Sequence, residues 1–99
     1  MNVVMVRGKV KAECVADVEE AAKKMFAAID AAQPKGIKYA SGRLQDGVTF
    51  VALLALEDAT ANPLLEMPEF RALQEQLADW RAEPSTVEPL TIVGSYNLF

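Results

Sequence analysis

The sequence predicts an α+β, ferredoxin-like domain in the order β-α-β-β-α-β, and three observations predict it. Apolar residues alternate with a period of two over residues 3–12, the signature of a strand, and three further strand-like runs follow. Two further stretches carry apolar residues at helical spacing. An Asp46-Gly47 pair joins the two middle strand runs as a hairpin. Such an order gives a four-stranded antiparallel sheet with two helices on one face. Its 99 residues suit a single domain spanning 1–99.

The first strand is expected over residues 3–12, with Val4, Val6, Val10 and Ala12 pointing one way and Val3, Met5, Arg7, Lys9 and Lys11 the other. A helix follows from Asp17, which can cap free amides, with Glu20 three residues on as in a capping box. Val18, Ala22, Met25, Ile29 and Ala32 make its apolar stripe. Glu19–Lys23 and Glu20–Lys24 are i,i+4 pairs in the favourable order, and Pro34 and Gly36 end the helix. Residues 36–44 and 48–57 form the hairpin, with positive φ angles expected at Asp46-Gly47. Pro68 suits the first turn of a second helix, which carries Phe70, Leu73, Leu77 and Trp80 on one side and Arg71, Glu75 and Asp79 on the other. Pro84 ends it, and the last strand is expected after Pro89, from Leu90 to Phe99. Gly8, Gly42 and Gly94, all placed in strands, mark bulges or close packing.

Two helices can cover only one face of this sheet, yet the third strand is apolar on both: Phe50, Leu54 and Leu56 on one side, Val51 and Leu53 on the other. Sheets of this kind more often have one polar face. Each large apolar side chain left in water forgoes about 1.5–3 kcal/mol, and association costs on the order of 4–15 kcal/mol. Several such residues, doubled by a twofold axis, outweigh that cost. The expected assembly is a homodimer joined through sheet faces.

Composition narrows the function classes. The net charge is −4 and no basic cluster exceeds Lys23-Lys24, which disfavours nucleic acid as a partner. No apolar run reaches the roughly 18 residues of a membrane helix, so no membrane role is expected. The single cysteine, Cys14, can form no internal disulfide, and the start carries no basic leader; a cytoplasmic location is the expectation. There is no histidine. Zinc sites with His ligands, His-dependent triads and His-ligated haem are therefore excluded, and no metal site is expected.

The element order, the apolar third strand and the segment Leu64-Leu65-Glu66-Met67-Pro68-Glu69-Phe70-Arg71-Ala72-Leu73 together carry a family resemblance. Over roughly residues 3–98 the chain resembles the antibiotic-biosynthesis-monooxygenase-like domains of the dimeric α+β barrel superfamily. Pro68 and Phe70 match a Ser-Pro-His-Phe-like helix start; Glu69 replaces its His, and an earlier family His falls near Leu64. Asn62 stands where some active relatives place an Asn after the third strand, but no Trp follows it. The resemblance implies a dimeric α+β barrel, and an oxygenase without cofactors that acts on small quinol- or anthrone-like aromatics. Some relatives degrade haem through a His ligand, which this chain lacks.

Such chemistry needs an apolar aromatic slot and groups that stabilise a substrate carbanion or phenolate. Arg43 can pair with a phenolate, or serve as a hairpin-end salt bridge. Asn62 can polarise a carbonyl, or cap the helical turn begun by Pro63. Trp80 can wall a pocket, or pack in the core or an interface. These three are the catalytic candidates. Tyr39, Phe50, Phe70 and Trp80 are the candidate substrate-binding residues, with Tyr39 able to donate a hydrogen bond or simply to pack. Tyr96 and Asn97 suit interface or ligand contacts equally. Glu66 and Glu69 read as helix-start carboxylates favouring the dipole rather than acid–base groups. Cys14 has no basic neighbour to activate it. Besides the oxygenase, a non-catalytic dimeric module binding a small apolar or aromatic ligand fits, as does a cyclase or isomerase on the same fold.

Overall fold

The computed structural model describes residues 2–98. Four strands form one antiparallel sheet: β1 (Asn2–Lys9), β2 (Ile37–Arg43), β3 (Thr49–Leu56) and β4 (Thr86–Leu90), in the spatial order β2-β3-β1-β4. Helix α1 (Val15–Ala32) joins β1 to β2, and helix α2 (Pro68–Trp80) joins β3 to β4. The predicted ferredoxin-like α+β fold is the one observed. Short 3-10 turns, Ala12–Cys14 and Pro63–Glu66, precede the two helices.

Strand register assigns every sheet residue a face. Tyr39, Leu54 and Val4 lie in one cross-strand row, and Ile37 and Leu56 pair in the next. Leu54 and Leu56 are buried with Leu64 against Ile29, Met67 and Phe70, so this is the helix-covered face. On the helices, Val18, Met25 and Leu73 are the buried members of the predicted stripes. Arg71, Glu75 and Asp79 face solvent as expected. The other sheet face carries the rows Ala40–Leu53–Met5–Glu88, Lys38–Ala55–Val3–Leu90 and Gly42–Val51–Arg7–Thr86. An apolar centre therefore sits inside a rim of Lys38, Arg7 and Glu88, and neither helix covers it.

Several local expectations are corrected. The first strand ends at Lys9 rather than at residue 12 because the end of α2 claims the chain there. The Lys11 amide donates to the Trp80 carbonyl (2.8 Å), the Ala82 amide to the Lys9 carbonyl (2.8 Å), and Lys11 Nζ to the Asp79 carbonyl (2.9 Å). Lys11 thus satisfies carbonyls at a helix C-terminus, where a cation is favoured. Asp17 does not cap α1. The cap position is Cys14, without a side-chain bond, and Asp17 lies inside the first turn, where its charge favours the helix dipole.

The last strand runs from Thr86 to Leu90, not from Leu90 onward. Residues 91–98 belong to no strand, and Val93, Tyr96 and Leu98 are exposed. Phe99, assigned to that strand from the sequence, lies outside the described residues. Proline ordinarily marks a strand end, but Pro89 lies within β4. Here it is accommodated because β4 is an edge, paired only with β1. Gly94, in turn, lies beyond the sheet, whereas Gly8 is a true close approach: a Cβ there would lie 2.8 Å from Ser85 Oγ.

The hairpin also departs from expectation. Only Gly47 has positive φ (82°), and Asp46 does not. The Asp46 carboxylate accepts from the amides of Val48 and Thr49 (2.9 Å each) and from Thr49 Oγ1 (2.5 Å). Those bonds hold Asp46 in an ordinary conformation and leave the left-handed step to glycine. They also hold the Asp46 carboxyl below its ordinary 3.8, with the Thr49 hydroxyl the largest cause.

Candidate functional site

A cleft of about 450 Å3 opens between α1 and the edge strand β2 with its neighbour β3. Its lining follows from side-chain size. Ala22 on the helix and Ser41 and Gly42 on the strand are too small to close the gap, while Phe26 and Phe50 stand at its walls. Arg43 pairs with Phe50 across β2 and β3 and reaches the rim. There its Nη1 lies 2.5 Å from Glu19 Oε1, with both side chains partly exposed. Lys23, one turn along α1 from Glu19, also lines the cleft. The predicted Glu20–Lys24 pair forms at 3.8 Å, but Glu19 pairs with Arg43 instead of the predicted Lys23.

Aromatic rings extend inward from the cleft wall. Phe26 stacks on Tyr39, with centroids 5.1 Å apart and planes at 25°; Tyr39 meets Phe70 edge-on at 6.4 Å. Offset stacking and edge contact are the favourable arrangements of ring quadrupoles. Burial pushes the Tyr39 phenol above its ordinary 10.0. The folded state therefore holds the Tyr39 proton more tightly than the unfolded chain. This contribution leaves stability unaffected below that ordinary value, then lowers it as pH rises through 10.0 toward the folded-state value. Denaturant melts across that range are expected to show the decline, and Tyr39→Phe to flatten it. An unchanged slope in Tyr39→Phe would mean that the phenol is as well hydrated in the fold as out of it.

The candidates named from the sequence therefore separate into three places. Arg43 and Phe50 share the cleft; Tyr39 and Phe70 continue its aromatic wall toward the core. Trp80 is elsewhere, in a groove between α1 and α2 with Met25, Leu73, Glu69 and Gln76. Asn62 lines a third depression with Lys35, Glu57, Asp58 and Glu66. Its side-chain oxygen accepts from the Leu64 amide at 3.0 Å, capping the 3-10 turn as the simpler reading expected. Phe26 and Ser41 have no role in the sequence reading, and Glu19 appears there only as a helix-pair partner of Lys23. Glu19, Lys23 and Phe26 recur at helical spacing and form a second stripe on α1, beside the buried one. That stripe is the signal that could have found them. Among the described residues, no group of three or more His, Cys, Asp or Glu side chains is placed to hold a metal. No helix there is long and apolar enough to cross a membrane.

No family model and no curated protein sequence matches the chain. Solved structures do. A Nitrosomonas europaea protein provisionally named an antibiotic biosynthesis monooxygenase superposes with a TM-score of 0.81 at 21% identity, over 95% of this chain and 100% of that one. The structure of Rv0793 from Mycobacterium tuberculosis gives 0.75 at 16% identity, over 95% and 96%. A single-site variant of SnoaB, a cofactor-independent oxygenase from Streptomyces nogalater, gives 0.70 at 21% identity, over 97% of each chain. The chain thus has the fold of structures described as antibiotic biosynthesis monooxygenases, consistent with the resemblance read from its sequence.

Proposed function

We propose that this chain works as a single-domain, homodimeric, cofactor-independent monooxygenase of the cytoplasm, acting on a small quinol- or anthrone-like aromatic. The observation that carries the reading is the cleft beside α1, with Phe26 and Phe50 as walls and the Arg43 guanidinium at the rim. Its volume falls within the range of roughly 300–1,000 Å3 usual for small-molecule sites. That a fold neighbour is described as a cofactor-independent oxygenase supports the same reading.

The chemistry asks for two things. The rings sandwich a planar aromatic and exclude water from one face. Arg43 stabilises the oxyanion left when the substrate gives its proton to water. The electron-rich anion passes one electron to dioxygen, the two radicals join as a peroxide, and loss of water leaves a carbonyl. One oxygen atom enters the product and the other departs as water, with both reducing equivalents drawn from the substrate. Tyr39 and Phe70 complete the ring wall. Trp80 and Asn62, facing other depressions, have no direct part in this arrangement.

The dimer rests on the sheet face that no helix covers, where the half-buried Met5, Val51 and Leu53 and the exposed Leu90 form an apolar centre beside the already buried Val3, with Lys38, Arg7 and Glu88 around it. An apolar centre inside a polar rim is the ordinary anatomy of a protein interface.

Oxygen uptake with a panel of anthrones and quinols tests the enzymatic reading. Turnover is expected in the wild type, with a fall of about 10²-fold in Arg43→Ala and little change in Asn62→Ala. Thermal stabilisation by the same compounds without oxygen uptake would identify a binding module instead. Conversion that proceeds without oxygen would identify a cyclase or isomerase.

A further inference from the structure

We infer that the cleft selects aromatics bearing a carboxylate, and that Glu19 is a built-in competitor which holds the anion seat of Arg43 until such a ligand arrives. The inference rests on the aromatic-binding reading above and names the substrate class of that site.

Three observations carry it. The first is local charge: the cleft is lined by Lys23 and Arg43 against the single carboxylate of Glu19, a local excess of one positive charge in a chain of net charge −4. The second is contact. Glu19 Oε1 already lies 2.5 Å from Arg43 Nη1, so the guanidinium is arranged for a carboxylate at the mouth of an aromatic-walled cavity. The third is an alternative partner for the displaced group. Glu19 and Lys23 stand at i and i+4 on α1, with Glu N-terminal to Lys, the better orientation for a helix pair. When a ligand carboxylate takes Arg43, the Glu19 side chain can turn to Lys23, so no charge is stranded. The two pairings available to one carboxylate make displacement inexpensive for an anionic ligand. A neutral ring, until it ionises, makes no bond to Arg43, leaves Glu19 in place and binds through the aromatic walls alone. No covalent step is involved.

Anaerobic calorimetric titration with 1,4-dihydroxynaphthalene and with 1,4-dihydroxy-2-naphthoate tests this, with thermal melts confirming that each variant is folded. The wild type is expected to prefer the carboxylate by about three- to tenfold at low ionic strength, and the preference is expected to shrink in high salt. Glu19→Gln should tighten the carboxylate ligand a further few-fold and leave the neutral one unchanged. Arg43→Gln should abolish the preference while the neutral ligand keeps its affinity within about twofold. Lys23→Gln, which removes the alternative partner, should weaken the carboxylate ligand only while Glu19 is present. Equal wild-type affinities, or a Glu19→Gln variant no better than wild type, would overturn the selection and leave the aromatic site standing. If neither compound bound, the aromatic-site reading would fall with it.

Discussion

Leu64→Ala is expected to lower the unfolding free energy by about 2–5 kcal/mol, measured as a shift in the denaturant midpoint at unchanged slope. Leu64 is fully buried, one of the two largest side chains so placed, and it joins the helical turn after β3 to Leu54 and Leu56 of the sheet. Truncation removes its apolar transfer energy and leaves a cavity in the cluster that Leu64 forms with Leu54 and Leu56. The turn is fixed by the Asn62 side chain below it and by Pro68 above, so little can collapse into the gap. A domain of this size holds about 5–15 kcal/mol of stability in total, and the variant should be near its limit. Leu65 is its control. One residue away on the same turn, it is largely exposed, and Leu65→Ala is expected to change stability by less than about 0.5 kcal/mol. Equal losses in the two variants would show that the turn, rather than the buried side chain, carries the stability.

Leu53→Lys is expected to separate the paired chains without unfolding either. Leu53 lies at the centre of the uncovered face, between Ala40 of β2 and Met5 of β1. In a lone chain it is only half-buried, so an ammonium there keeps its water. Across a twofold axis each lysine would meet the apolar centre of the opposite sheet, and its desolvation would cost about 3 kcal/mol or more. That corresponds to roughly two orders of magnitude in dissociation constant. Sedimentation velocity at micromolar concentration should show wild-type dimers and variant monomers with matching circular dichroism. A wild-type chain that sediments as a monomer would refute the pairing of sheets altogether.

The strands and helices were legible because their apolar spacing is regular. β3 is apolar without interruption from Phe50 to Leu56, and α2 separates Leu73 and Leu77 from Glu75 and Asp79 cleanly. What escaped was set by partners distant in the chain. Val10 and Lys11 alternate like strand residues, yet Val10 bridges to Arg81 and Lys11 bonds to the end of α2, some 70 positions away, where β1 has already ended. Thr86 to Leu90 carries little apolar signal, and only its pairing with β1 makes it a strand. The cleft was half visible. Arg43 and Phe50 were recognisable by residue type, but their common wall needed the register of β2 on β3. Glu19 and Phe26 flank the conspicuous stripe of α1, and their importance depends on what β2 places opposite them. Trp80 is placed by the sequence on the apolar side of α2, and only the packing of α2 beside α1 shows that this side opens on a groove other than the cleft.

Pro89 in the outermost strand has a bearing on solubility. An exposed strand normally offers a full series of amide donors to any passing extended peptide. Here one donor is absent by covalent structure, and the neighbouring Glu88 adds a negative charge. Lateral recruitment of further chains into a growing ribbon is thereby blunted at that border. The molecule can carry a half-buried apolar sheet face while its flank resists amyloid-like growth.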